Sequence, residues 1–268
     1  MPLNGTDRIV LVGGGRNEVR LTDVGKEMQD ATLKQTKLDR AFTYETFQTS
    51  PVTAKAAGGA ASGTAGHVNV MALANNVFEY SPKGTQTITA PVINAGGLNI
   101  SMDLTDNDGV EITQGITTRC PTAFKVGTSP AFYFKARLKI ADVSGTDDCA
   151  VGFRKAEAYQ ANIDDYNDMA CLNVISGDIT TETILNDAAT VTTDTTDDWA
   201  DAAEKTLEVY VSATGVVSYK IDGAAPTAVA ATPFAFAEDE IVVPFLFFLH
   251  ASDVAENTLL VSWECGLQ

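Results

Sequence analysis

The chain has 268 residues, 45% hydrophobic, 8% aromatic and 20% charged, enough apolar material for one large domain or two small ones and too much for a disordered chain. No apolar run approaches about eighteen residues, the longest being Ile241 to Leu249, which excludes a membrane-spanning helix on length. Residues 1–140 carry 14 Lys and Arg against 12 Asp and Glu, while residues 141–268 carry 4 against 23, so nearly all of the net charge of −17 sits in the C-terminal half. A surface that negative repels phosphate backbones, which argues against nucleic-acid partners and favours basic or cationic ones.

Residues 1–50 read as an arm. Arg8 to Val12 is strand-like and ends at Gly13-Gly14-Gly15, and Glu18 to Leu21 is a second extended piece. Gly25 to Arg40 reads as a polar helix with a thin stripe of Met28, Thr32, Gln35 and Leu38, too little apolar surface for a core of its own. The start, Met1 to Arg8, has no basic segment followed by an apolar core, so no secretory signal is expected. Residues 51–66 are almost all Ala, Gly, Ser and Thr, the composition of a linker, and the domain boundary is placed there.

From His67 the period becomes two. Val68, Val70 and Ala72 alternate with polar neighbours, as do Leu98, Ile100, Met102 and Leu104, then Phe132 to Ile140, then Leu207, Val209 and Val211. Val216 to Ile221 follows and closes with the turn dipeptide Asp222-Gly223, which predicts consecutive antiparallel strands. Ile241 to Leu249 is apolar throughout and is expected to be covered on both faces, and Thr258 to Glu264 ends the series. Asp194 to Glu204 reads as one short helical turn with Trp199 as its anchor. These signals predict an all-β fold over residues 67–268, an antiparallel two-sheet jelly-roll sandwich preceded by an extended arm with a short helix.

Signatures of catalysis are sparse. Val10 to Glu18 begins like a dinucleotide glycine loop but lacks the third glycine and the following helix, and reads as a flexible turn. Asp103, Asp106 and Asp108 surround a turn rich in hard oxygens; counting from Leu104, the twelfth position is Gly115 rather than a bidentate Glu, so an EF-hand fails and a solvated turn is the plainer reading, with Ca²⁺ left open. Asp147-Asp148, Asp164-Asp165, Asp168 and Asp197-Asp198 are candidate cation holders or paired carboxylates for glycosidic cleavage, or solvated caps. His67 and His250 lie near no serine or cysteine with a second carboxylate. Of the aromatic residues, Trp263 is expected in the core and Tyr159 and Tyr166 on a binding surface. Cys120, Cys149, Cys171 and Cys265 form no C-x-x-C pair and read as free, mostly buried thiols. No catalytic, metal or cofactor residue is assigned.

Gly96-Gly97-Leu98-Asn99-Ile100 through Asp108-Gly109-Val110-Glu111-Ile112, the Phe132 to Ile140 strand with Cys149-Ala150-Val151-Gly152-Phe153, the Leu207 to Gly223 hairpin, and Val243-Pro244-Phe245 with Leu260 to Gly266 together resemble the concanavalin A-like (laminin-G-like) jelly rolls of structural proteins in tailed-bacteriophage virions. The resemblance covers about residues 65–268. It implies a non-enzymatic virion protein assembled in the host cytoplasm: a capsid decoration or cement subunit whose arm reaches across the major capsid protein or other virion subunits, itself a homo-oligomer. A carbohydrate-binding tail fibre or spike component is the alternative, and a glycan-cleaving enzyme a third.

Overall fold

The computed structural model describes residues 8–10, 18–20, 43–46, 53–55, 69–72, 77–84, 96–101, 105–114, 123–251 and 258–268. The chain divides into Met1–Arg40 and Ala41–Gln268. In the first unit β1 (Arg8–Val10) pairs antiparallel with β2 (Glu18–Arg20); the expected helix over Gly25 to Arg40 lies outside the described residues.

The second unit is an all-β sandwich of two antiparallel sheets. One runs β16 (Val217–Ile221), β15 (Glu204–Val211), β10 (Phe132–Ile140), β18 (Thr258–Leu267) and β3 (Thr43–Thr46), with β7 (Leu98–Asn99) also on β18. The larger runs β14 (Val191–Asp198), β13 (Asp178–Ile184), β12 (Met169–Ile175), β11 (Thr146–Lys155), β17 (Ile241–His250), β8 (Gly109–Thr113), β6 (Val77–Lys83), β5 (Asn69–Ala72) and β4 (Thr53–Lys55), with β9 (Phe124–Lys125) also on β17. β3 and β4 fall within the ranges read as arm and linker, yet they pair with β18 and β5 and belong to the second unit. Among the described residues no helix is long and apolar enough to cross a membrane.

Alternation explains the layers. Phe132, Phe134, Ala136, Leu138 and Ile140 point inward from β10, and Cys149, Val151 and Phe153 from β11, so the two inner faces share one core. Its centre is aromatic: Phe132 stacks on Phe124 with ring centroids 4.4 Å apart and meets Phe153 edge-on, while Trp263 lies 4.1 Å from Phe134 and 5.2 Å from Phe78. The opposite face of β11, β12 and β17 is covered as well. Loop residues 156–168 lay Tyr159, Ile163 and Tyr166 over Phe245, Phe247 and Leu249, which is why β17 is apolar at nearly every position.

The expected helical turn at Asp194 to Glu204 is corrected: residues up to Asp198 form β14, and β15 begins at Glu204. The β-branched threonines of β14 favour a pleated edge over a helix. The anchoring role of Trp199 holds, since its ring is buried and its indole N–H donates to the Ala203 carbonyl. The Asp222-Gly223 turn is as expected, with both residues at positive φ (51° and 81°) closing β16.

Candidate functional site

Two polar constellations occupy the outer face of the larger sheet. The first is buried. Glu111 of β8 and Arg154 of β11 are both fully inaccessible and form a two-pronged pair, Nε to Oε2 at 3.0 Å and Nη2 to Oε1 at 2.7 Å. The Tyr166 hydroxyl donates to the same carboxylate and accepts from the Gln160 amide, and the guanidinium lies 4.5 Å from the Tyr166 ring centre. Arg154 Nη1 also donates to the Lys155 and Glu157 carbonyls, so the ion pair holds the start of the covering loop. Burial and the neighbouring Glu111 push the Tyr166 phenol well above its ordinary range. With every prong used within the fold, this group is a structural clasp.

The second constellation lies beside that loop. Asn173 of β12 donates from a single amide nitrogen to Asp148 Oδ1 at 2.6 Å and to Glu182 Oε2 at 3.1 Å, and its own oxygen accepts from the Cys149 amide at 2.9 Å. Cross-strand register brings the three together: Ala150 faces Asn173 between β11 and β12, and Cys171 faces Glu182 between β12 and β13. Alternation turns their side chains outward. Thr192 donates to the other Glu182 oxygen. Exposed Asp164, tied to Thr190, and exposed Asp147 add negative charge, and Lys83 supplies a cation.

Burial raises both carboxyls, Asp148 to about 6 and Glu182 to about 7, against the Asn173 hydrogen bonds that pull each down and with Asp164 pushing each up. Each therefore holds its proton more tightly in the folded chain than in the unfolded one, where values near 3.8 and 4.5 apply. The stability they contribute is fully present below about pH 4 and is lost as pH rises through about 7. Thermal unfolding is expected to show a falling midpoint from pH 4 to 8, and Glu182→Gln should flatten that fall; an unchanged slope in the variant contradicts the assignment.

The structure distributes the residues picked out in the sequence as follows. Asp148 and Asp164 come together at this site, joined by Glu182 and Asn173, which sequence reading missed. Asp165 accepts from Asn162, Asp168 is buried and takes the Asn186 amide and Lys155, and Asp197 is held below its usual range by Thr227. Gly13 to Gly15, His67, Asp103 and Cys120 lie outside the described residues. Asp106 is exposed, and Asp108 is buried against Gly84 in a turn whose backbone pairs with His250. Among the described residues no group of three or more His, Cys, Asp and Glu is placed to hold a metal ion. His250 is buried edge-on against Phe248. Tyr166 is fully buried and Tyr159 nearly so, which corrects their expected place on a binding surface: both plug the loop onto the sheet. Trp263 is in the core as expected, and Cys149, Cys171 and Cys265 are buried.

Neither a family model nor a curated protein sequence matches the chain. Solved structures do. The metal-free carbohydrate recognition domain of Emp46p is 8% identical, with 70% of this chain and 87% of that one covered at a TM-score of 0.47. An alginate lyase of Pseudomonas aeruginosa is 10% identical, covering 73% and 84% at 0.41. A structure from work on endo-acting O-glycanases of the human gut microbiota is 10% identical, covering 84% and 98% at 0.44. The chain's own strand order makes it a two-sheet antiparallel β-sandwich, and these likenesses concern fold alone.

Proposed function

We propose that the chain is a glycan-binding β-sandwich whose ligand sits on the outer face of the larger sheet at Asp148, Asn173 and Glu182. The observation that carries this reading is the pair of carboxyls held on one amide nitrogen at the rim of the covering loop. Above about pH 7, where both are ionised, the two carboxylates only accept hydrogen bonds, and a polyhydroxylated ligand supplies donors in the number such a group needs. The strongly acidic C-terminal half selects neutral or amino sugars over anionic ones. The setting, a fibre or spike component of a tailed-phage virion, comes from the sequence resemblance. Cementing of a capsid through the arm is the second reading, and it rests on the same resemblance.

The test is calorimetric titration with a panel of neutral and amino-sugar oligosaccharides, chosen by glycan-array screening. Binding is expected to fall at least about tenfold in Glu182→Gln and Asp148→Asn, the loss of one charge-assisted hydrogen bond being about 1.5–3 kcal/mol. No binding across the panel, or binding indifferent to both substitutions, removes the reading. Release of reducing ends that Asp148→Asn abolishes recasts the two carboxyls as the acid and nucleophile of a glycosidase.

A further inference from the structure

On β13 the side chains alternate: Glu182 faces the outer site, and Thr181 and Thr183 face the space between the sheets. Ile179, earlier on the same inner face, is packed in the core, but beyond it the inward positions change to threonine, and Thr193 of β14 continues the row. The opposing strand β16 presents Val217 and Tyr219. β14 and β16 are the last strands of their sheets, so the sandwich ends here without a layer to fill it. What remains is a cavity of about 560 Å³, roofed by the loop from Ala225 to Ala235 and lined mainly by Ala, Thr, Pro and Val.

Two observations point to a ligand. The volume falls within the roughly 300–1,000 Å³ of small-molecule sites, and the lining is predominantly apolar. Three of the four exposed large hydrophobic residues of the described chain, Leu185, Val191 and Val229, at 39, 58 and 49% exposure, stand at this cavity. They make its mouth greasy where the rest of the surface is acidic.

We propose that this cavity binds one small, uncharged, largely apolar molecule of two or three rings. The site is separate from the glycan face, on the other side of the same strand, and stands whether or not that face binds sugar. A charged ligand is excluded by the apolar lining, and a ligand with many hydroxyls would leave them unmatched against alanine and proline.

The full chain is titrated with N-phenyl-1-naphthylamine, a neutral aromatic probe with one N–H group, and its fluorescence followed. The expected result is saturable, blue-shifted emission with one probe per chain, lost in Ala230→Trp or Ala189→Trp, which fill the cavity from exposed positions, with circular dichroism confirming the fold. Absence of saturable binding, or binding that survives both tryptophan variants, overturns the site. Self-association of the wild-type chain that Ala230→Trp dissolves, without probe binding, overturns it in favour of a second copy of this chain as the occupant.

Discussion

Replacing Glu111 alone with leucine is expected to destabilise the sandwich by about 3–5 kcal/mol, because it leaves the Arg154 guanidinium buried without its counter-charge. Both partners are wholly out of water, so neither the side chain nor its charge can relax to solvent. Burial opposes the charged guanidinium, yet its affinity for a proton is raised overall, since Glu111, Tyr166 and Glu157 favour the cation. The arginine therefore stays ionised, and the cost appears as lost stability. Tyr166 loses its acceptor in the same substitution. For a unit of this size the midpoint should drop by about 10 °C, using roughly 2–4 °C per kcal/mol. Removing both charges, in Glu111→Leu with Arg154→Met, should recover most of the loss, as apolar replacements of buried pairs usually do. A double variant no better than the single contradicts the account, and so does a single variant that costs under about 1 kcal/mol. Because Glu111 orients the Arg154 that holds the Lys155 and Glu157 carbonyls, the single variant should also loosen the loop carrying Asp164 and, on the proposed function, weaken glycan binding ahead of global unfolding.

Which of these features a reader of the sequence can see follows from the range of the interactions that make them. The inward rows of β10, β15 and β17 are visible because alternation is local: Phe132, Phe134 and Leu138, or Leu207 and Val209, carry their own pattern. The double burial of β17 is visible for the same reason. The helical turn at Asp194 is a misreading because its Asp and Ala residues suit a cap, while the pairing of Thr192 with Glu182 and Thr193 with Thr181 settles the strand from outside the segment. Tyr159 and Tyr166 look like surface residues in a polar loop, and nothing local says that the loop folds over Phe245 and Phe247. The clasp joins residues 43 apart in sequence, and Asn173 reaches 25 residues back to Asp148. Such pairs emerge only from register. A hint of each is present: Arg154 directly follows the apolar run Cys149 to Phe153, Glu182 stands between β-branched residues, and a charge at a buried strand position needs a partner.

Gly152 bears the second large effect. It sits in β11 opposite Cys171 of β12, in the Val151-Gly152-Phe153 run that carries part of the sequence resemblance. A Cβ at this position falls 2.2 Å from the Ala170 carbonyl oxygen and 2.6 Å from the Cys171 Cα, both backbone atoms of the neighbouring strand. On propensity alone, alanine in a strand interior should be neutral or favourable, since glycine weakens strands. Here the close approach of two backbones reverses the sign. The clash is relieved only by moving β12 away from β11, and β12 also bears Asn173 and, through β13, Glu182. Gly152→Ala is accordingly expected to cost about 3 kcal/mol or more, at the upper end of overpacking penalties, and Gly152→Val more still. Urea denaturation measures it directly. If Gly152→Ala unfolds at the wild-type midpoint, the strands are not as close as described, and the shared amide nitrogen between Asp148 and Glu182 loses its support as well. If it is destabilised, the proposed glycan binding should weaken too at temperatures where the variant is still folded, because the spacing of β11 and β12 sets the distance from Asp148 to Asn173.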